Sequence, residues 1–460
     1  MKFKSIKSKS IFVIGLGISG LSLARKLKNN CNKLVCWDDS LDVRKRALKF
    51  NLNLKLPTNV ELNRFDYIVL SPGISESYLD NYKNKKKINL ISDLEFFRFI
   101  DGKKLLVGIT GTNGKSTTTK MLEHTLDHSN VKIAGNIGLS FSELKLNSTN
   151  QKNLIIIEAS SYQLERIDKI RFNIACLLNI SPDHLERHQT MQNYLDAKLK
   201  IFKNQKRNDH AIVCIDDNYC KKVRETFKEK FLSKPIFFSV KQKIKNGIFL
   251  EEKKDVLEIT NNIHNEFFTI FKKNLNIFGK HNYQNLLATY IMNKVLGTST
   301  KKFIKRSQSF SGLEHRLEKI DSFKGLNFFN DSKSTNLESS IGALKSLKNI
   351  FWIAGGLSKS NGLKGVENHL LNVKRVFLYG QDRYKILKSF KKKVIISEFS
   401  NLEVAFEKAF ELASKTTGEI NILFSPACAS FDQFKNFEER GKKFKLLVKK
   451  KIFSYKNNDS

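Results

Sequence analysis

Residues 105–119, LLVGITGTNGKSTTT, decide the fold. Leu105, Leu106, Val107 and Ile109 form a short apolar run that reads as a buried strand, and a turn carrying Gly111 and Gly114 leads from it into Lys-Ser-Thr. Glycine reaches backbone conformations closed to other residues, so the turn Gly111-Thr112-Asn113-Gly114 can converge successive N–H groups on phosphate oxygens. A helix starting there presents its N-terminus to the same anion. In such a loop Lys115 lies along the β and γ phosphates, and the Ser116 hydroxyl, followed by Thr117, falls where a phosphate-bound Mg²⁺ needs an oxygen ligand. The spacing departs from the usual phosphate-binding loop, because Ile109 stands five before Gly114 and Gly108 lies one place further upstream. Strand, glycine turn and Lys-Ser-Thr together still favour a nucleoside triphosphate site over a turn that merely ends a strand.

Upstream, residues 1–101 alternate apolar strands at Ser10–Ile14, Lys33–Trp37 and Tyr67–Leu70 with helical patterns, which implies a parallel sheet of the Rossmann type. A GxGxxG turn (Gly15, Gly17, Gly20) follows the first strand, and Asp38 and Asp39 close the second. Alone, that combination indicates a dinucleotide, with glycines against a pyrophosphate and an acid on a ribose. Because the chain already has a separate triphosphate site, this domain can equally hold a nucleotide that belongs to a substrate. The same segment imitates a secretory signal, with lysines from Lys2 to Lys9, an apolar middle, and Ser22 and Ala24. Strand, turn and helix explain it better, and unpaired cysteines with ATP chemistry place the chain in the cytoplasm.

Downstream, residues 102–300 form the triphosphate domain, with further strands at 154–157 and 175–179. Residues 301–460 form a third α/β block, with strands at 326–329, 351–354, 375–379 and 421–424. The fold class expected is therefore α/β in three domains: a Rossmann-like N-terminal domain, a central P-loop-type ATPase domain with a parallel sheet, and a Rossmann-like C-terminal domain. Sites in open α/β sheets form at the carboxyl ends of strands, and polar clusters gather there. Strand 154–157 runs into Glu158-Ala159-Ser160-Ser161-Tyr162-Gln163, and Asn179 leads into SPDHLERH with Asp183, His184, Glu186 and His188. A helix beginning near Thr190 carries Met191, Leu195, Leu199 and Phe202 on one face, with Lys198 at its flank. Carboxylates and an imidazole near a triphosphate suit Mg²⁺. His184 and His188 have the helical spacing of a zinc pair but lack a third ligand, so His188 reads as a hydrogen-bonded surface or helix-start residue, and Lys198 as a snorkelling lysine. In the third block, 330–336 (NDSKSTN), 355–359 (GGLSK) and 425–430 (SPACAS) follow strands. Their lysines and hydroxyls suit a small dicarboxylate, although each loop alone is ordinary turn chemistry.

A net charge of +36 would ordinarily indicate nucleic acid, but the lysines are spread along the whole chain rather than clustered in a stripe, so no nucleic-acid role is expected. The six cysteines form no CxxC pair or zinc spacing. No apolar run is long enough to cross a bilayer.

These residues resemble the Mur ligases, and within that family the branch that adds D-glutamate. The resemblance covers essentially the whole chain, from GLGISG to SPACASFDQFKNFEERGKKF. GTNGKST, His281-Asn282 and His315-Arg316 are similar to motifs of the wider superfamily that includes folylpolyglutamate synthases, whereas NDSKSTN and SPACASFDQFKNFEERG are specific to the D-glutamate branch; the DNPR of the diaminopimelate or lysine branch is absent. The resemblance implies an ATP-dependent ligase acting on UDP-N-acetylmuramoyl-L-alanine and D-glutamate, with ATP, a pair of Mg²⁺ ions and a lysine carbamylated by CO₂ as its cofactors. It implies a monomer without membrane insertion. Gly17, Ile18, Ser19, Asp38 and Asp39 would meet the UDP, Ser71, Pro72 and Gly73 the sugar, and Asn136 and His184 the same substrate. Lys198 matches the carbamylated lysine, holding metal with His184, while Glu158 and Ser116 hold it nearer the phosphates. Asn282 and Asn285 would approach adenine, Arg316 and Asp331 the ATP phosphate and ribose, and Lys333, Thr335, Lys359, Ser430 and Phe437 D-glutamate. Lys115, His184, Lys198 and Arg316 would be catalytic. Two positions depart from the family pattern: Ser360 replaces a glycine, and Leu357 a residue that is often polar. An acyl phosphate hydrolyses in water, which predicts closure of the third block over the central one.

Other functions leave motifs idle. A folylpolyglutamate synthase gives no reason for the GxGxxG domain, an NAD-dependent oxidoreductase leaves GTNGKST unused, and a nucleic-acid ATPase leaves NDSKSTN and SPACAS unused.

Overall fold

The computed structural model describes residues 6–80, 88–128, 130–141, 143–144, 153–358, 363–390 and 394–458. The first sheet comprises β1 (Ser10–Ile14), β2 (Lys33–Trp37), β3 (Tyr67–Leu70) and β4 (Leu90–Ile91), all parallel, in the order β2-β1-β3-β4. Successive side chains of a strand point to opposite faces. Accordingly Ile11 and Val13 pack with Leu23 and Leu27 of the helix Ile18–Leu27, while Phe12 and Ile14 pack with Phe65 and Leu79 on the other face. From Ser10 to Leu27 the segment resembling a secretory signal is therefore a folded strand, turn and helix.

The second sheet holds β5 (Lys104–Thr110), β6 (Val131–Gly135), β7 (Asn153–Glu158), β8 (Ile174–Leu177), β9 (His210–Cys214), β10 (Lys234–Ser239), β11 (Ile248–Glu252), β12 (Val256–Asn261) and β13 (Glu266–Phe271). Their order is β13-β12-β11-β10-β9-β8-β5-β7-β6, parallel from β6 to β11 and ending in two antiparallel pairings. The strand order reverses at β5, between β7 and β8, so the crevice that such sheets use for ligands opens at the carboxyl end of β5.

The third sheet holds β14 (Glu318–Phe323), β15 (Leu326–Asn330), β16 (Ile350–Gly355), β17 (Val373–Tyr379), β18 (Ile395–Phe399) and β19 (Ile420–Phe424), in the order β14-β15-β19-β16-β17-β18. Only β14 is antiparallel to its neighbour. Alternate residues again divide between two cores: Trp352 and Leu378 on one face, Phe351, Phe377 and Phe444 on the other.

Three sheets divide into two compact units, residues 1–272 with 284–307, and residues 273–283 with 308–460. The first two sheets share one unit because Phe96, Phe97 and Ile100 join Leu23 and Leu27 to Leu106 and Ile155 in a single apolar core. Glu95 reinforces that junction: it is fully buried, and its Oε1 accepts the N–H groups of Asp168, Lys169 and Ile170 at 2.7–2.9 Å. The helix Thr300–Gln308 lies with the first unit up to Ser307, since Lys302 and Arg306 pair with Asp127 and Phe303 packs 5.4 Å from Tyr290. The compact break thus falls several residues beyond 300. Among the described residues no helix is long and apolar enough to cross a membrane.

Candidate active site

At the carboxyl end of β5 the chain turns through Gly111–Gly114 into the helix Lys115–Thr125. Gly114 has φ +85°, and a Cβ there would stand 2.2 Å from Asn285 Oδ1, so the turn requires glycine twice over. Lys115 folds back along the loop, its Nζ donating to the carbonyls of Gly111 (2.8 Å) and Thr112 (2.7 Å). Lys198 Nζ donates to the same Gly111 carbonyl at 2.8 Å. Two lysines distant in sequence therefore meet on one peptide oxygen.

Lys198 does not snorkel. It lies in the helix Met191–Leu199, capped by Thr190, and is 1% exposed. Tyr194, one turn earlier, brings its hydroxyl 3.1 Å from Thr112 Oγ1, with Lys198 Nζ 4.7 Å from its ring centroid. Periodicity placed Lys198 beside the apolar stripe but could not show that the flank faces the phosphate loop. Burial, and then the charge of Lys115, hold the Lys198 amine well below the ordinary lysine range, opposed by Asp183 and Glu158.

Glu158 ends β7 and is 1% exposed. Its Oε1 accepts from Asn136 Nδ2 at 2.9 Å, while its buried Oε2 has no hydrogen-bond partner. A desolvated carboxylate oxygen without a donor is costly unless a cation meets it, so Glu158 fits a metal ligand. Ser116, expected beside it on the metal, is buried in the first turn of the loop helix. No group of three or more His, Cys, Asp or Glu side chains able to hold a metal is found among the described residues. His184 is 41% exposed at its side chain, in the left-handed region at φ +55°, with Asp183 at 3.4 Å and Glu186 at 3.6 Å. His188 is buried rather than on the surface; its Nε2 lies 3.0 Å from Ser161 Oγ and its ring stacks on Tyr162, so burial lowers its pKa.

In the first sheet, Gly15 (φ +89°) could carry no Cβ, which would approach Ile74 to 2.6 Å; Ser71 Oγ donates to the Gly15 carbonyl at 2.9 Å. The GxGxxG and Ser71-Pro72-Gly73 turns are thus one packed surface. Nothing lies within 4 Å of a Cβ at Gly17 or Gly73, and Ile18 is 88% exposed, beside half-buried Ser19. Asp38 accepts the N–H groups of Leu16 and Ser40, whereas Asp39 accepts from Trp37 and Tyr78. Sequence reasoning missed Arg166 and Arg187, which donate to the carbonyls of Ile74 (2.8 Å) and Pro72 (3.1 Å) and grip the Ser71–Ile74 turn. Arg187 lay in the quoted SPDHLERH, but only tertiary contact reveals its partner.

In the second unit, Arg316 sits between two residues of positive φ, His315 (+64°) and Leu317 (+46°). Asp331 holds this turn by accepting Leu317 N–H at 3.0 Å, and it also accepts Ser334 Oγ (2.6 Å) and Ser425 Oγ (2.7 Å). Burial raises its pKa to about 6 against these hydrogen bonds. Lys333 Nζ stands 3.8 Å from the Phe437 ring centroid, Thr335 is half-buried in the following loop, and Ser430 is buried. Lys359 and Ser360 lie outside the described residues. Leu357 pairs with Ala429 through N–H···O bonds of 3.0 and 2.9 Å, which fixes the shape of its loop through backbone bonds that need no polar side chain. Arg440, also missed, is fully buried; it donates to Ser332 Oγ, Ser332 O and Cys428 O and ties NDSKSTN to SPACAS.

Asn282 and Asn285 begin the helix Lys280–Val295. Asn282 donates to Phe278 O at 2.9 Å, whereas Asn285 accepts from Thr118 Oγ1 at 3.2 Å and lies against the phosphate loop. All six cysteines are free thiols.

A family model described as the Mur ligase middle domain matches residues 109–292. The chain is 36% identical over 453 residues to a UDP-N-acetylmuramoylalanine--D-glutamate ligase of Rickettsia prowazekii, with 96% of this chain and 98% of the relative covered. A ligase of the same name from Thermoanaerobacter pseudethanolicus is 35% identical over 460 residues, with 96% and 98% covered. Among solved structures, the UDP-N-acetylmuramate-alanine ligase of Thermotoga maritima gives a TM-score of 0.57 at 18% identity, covering 97% of this chain and 100% of that one. The MurF ligase of Thermotoga maritima in complex with ADP gives 0.58 at 18% identity, covering 97% and 96%. At that identity the two structures establish the fold alone.

Proposed function

The chain belongs to the Mur ligase family, and we propose that it joins D-glutamate to the alanyl carboxylate of UDP-N-acetylmuramoyl-L-alanine, consuming ATP, in the synthesis of peptidoglycan and hence in cell-wall growth, shape and division. The observation that carries this reading is coverage: the 36% match extends over 96% of the chain, so it includes the GLGISG turn and the SPACAS loop as well as the triphosphate loop. We place the enzyme in the cytoplasm as a monomer, with 1–101 holding the UDP substrate, 102–300 ATP and 301–460 the amino acid.

Amide formation from a carboxylate and an amine is uphill in water. In the proposed reaction the alanyl carboxylate oxygen attacks the γ-phosphorus, the bond to the β–γ bridging oxygen breaks, and ADP leaves an acyl phosphate. Lys115 and Arg316 offset the negative charge that spreads over the phosphoryl oxygens. The neutral D-glutamate amine adds to the acyl carbon, and the tetrahedral adduct collapses with loss of inorganic phosphate and of the amine proton. His184, half-exposed between Asp183 and Glu186, is our candidate acceptor for that proton in the state where its imidazole does not ligate Mg²⁺. The remaining assignments follow the family pattern: Gly111–Thr117, Asn282, Asn285 and Asp331 on ATP; Gly17–Ser19, Asp38, Asp39, Ser71–Gly73 and Asn136 on the UDP substrate; Lys333, Thr335, Lys359, Ser430 and Phe437 on D-glutamate.

Ser116, Glu158, His184 and Lys198 would hold Mg²⁺, which when bound neutralises phosphate charge; the uncommitted Glu158 Oε2 supports this. Carbamylation of Lys198 needs a neutral amine, which adds to CO₂ and releases one proton. Burial, which lowers the pKa of the Lys198 amine, favours that neutral form. Lys198→Ala should lose about 10–100-fold in turnover, partly restored by a small carboxylate or bicarbonate; full activity without rescue removes the carbamate assignment.

The test of function is phosphate release by the purified chain with ATP, Mg²⁺ and UDP-N-acetylmuramoyl-L-alanine, comparing D-glutamate, L-glutamate and no amino acid. Release dependent on D-glutamate is expected. Equal release with L-glutamate would overturn the assigned specificity.

A further inference from the structure

The phosphate loop is held from outside by one side chain that neither motif spacing nor the proposed chemistry uses. Asn179 lies just beyond β8, beside the crevice at β5. Its Oδ1 accepts the N–H of Asn113 at 2.9 Å, and its Nδ2 donates to the Asn113 carbonyl at 3.2 Å. These two groups belong to successive peptide units, so one amide fixes both peptide planes on either side of Asn113. The backbone adds a third tie, Thr112 N–H to Asn179 O at 2.9 Å. The Asn179 amide is itself oriented: Nδ2 also donates to Gln284 Oε1 at 2.7 Å, and Gln284 Nε2 donates to Cys214 Sγ at 3.0 Å. Cys214 in turn donates to Asp216 at 3.3 Å, and burial keeps the thiol protonated and able to do so.

We infer that Asn179 is a positioning residue for ATP, which sets the peptide orientation of the phosphate-binding loop before nucleotide arrives, with Gln284 orienting Asn179 in turn. The inference rests on the reading of residues 111–117 as a triphosphate site. A four-residue turn with two glycines and no such brace would have to order on binding, and that ordering is subtracted from affinity. Asn285, the neighbour of Gln284, braces the other side through Thr118, so consecutive residues of one helix serve both flanks of the loop.

The test is calorimetric titration of the full chain with MgATP, together with steady-state kinetics. Asn179→Ala should weaken ATP binding about tenfold and raise the KM for ATP by a similar factor, while the KM for D-glutamate stays within about twofold. Asn179→Asp keeps the acceptor for Asn113 N–H but lacks both donors and adds negative charge beside the triphosphate, so it should bind ATP more weakly than the alanine variant. Gln284→Ala should give a smaller loss, and the double variant Asn179→Ala/Gln284→Ala should bind no worse than Asn179→Ala alone, since both act through one connection. Unchanged ATP affinity in a folded Asn179→Ala chain, or equal losses for all substrates, overturns the inference. Failure of the unsubstituted chain to bind MgATP would instead overturn the triphosphate reading beneath it.

Discussion

The loop at β5 and the loops after β15, β16 and β19 stand at the same place in their sheets, yet they treat positive charge in opposite ways. Around β5 two lysines converge on the Gly111 carbonyl, and the more buried, Lys198, is driven toward its neutral form. In the third sheet the fully buried cation among the described residues is Arg440, which lies behind the loops and binds carbonyls and a hydroxyl, while Lys333 stays partly exposed over Phe437. The difference follows from the side chains. A lysine amine can shed its proton when desolvated, whereas a guanidinium cannot and must be given acceptors. On the proposed function, the first region would supply a neutral amine and a phosphate cradle, and the second would keep three loops in register around the amino acid.

Three substitutions break this contrast, in falling order of effect. Lys115→Ala removes the cation along the phosphates and should cost about a thousandfold in kcat/KM with weaker ATP binding; wild-type phosphate release in that variant would exclude the loop from the reaction. Arg440→Met strands the Ser332 and Cys428 carbonyls in the core and should lower unfolding free energy by about 3–4 kcal/mol, measured by urea denaturation. A change below about 0.5 kcal/mol, the size of an ordinary surface substitution, would show that the loops do not depend on it.

The third concerns Asp331, whose pKa rises from 3.8 to about 6. Below the unfolded value both states carry the proton and nothing is lost. Between the two values the unfolded chain releases its proton first, so the stability contributed by this group falls as pH rises, then levels off above about 6. Relative to Asp331→Asn, the unsubstituted chain should lose up to about 3 kcal/mol between pH 4 and pH 6.5. A difference between the two denaturation curves that is flat with pH would contradict the raised value.

Much of this architecture was readable in the chain. The strands β1, β2 and β3 have the bounds their apolar runs indicate, because a parallel strand buried on both faces needs an unbroken apolar run. The antiparallel arm was not found, although Leu257 and Ile259 alternate with Glu258 and Thr260 as a half-buried strand should. Lys115 and Glu158 were legible because glycine turns and strand ends announce themselves locally. Lys198 was legible as a position only through family resemblance; alone it looked like a surface lysine, since helical spacing shows a flank and not what the flank meets. Arg166, Arg440 and Asn179 carried no local signal, as their partners lie 92, 108 and 66 residues away.

The sequence by itself determined the strand and turn chemistry, the phosphate-loop side chains and the family, because each depends on residues adjacent in the chain or on likeness along its length. Tertiary structure alone decided which charges lose water. It lowers the pKa of Lys198, leaves one oxygen of Glu158 without a donor, raises the pKa of Asp331 and seals Arg440 behind its loops. Desolvation is set by everything packed around a group, and those neighbours come from distant parts of the chain.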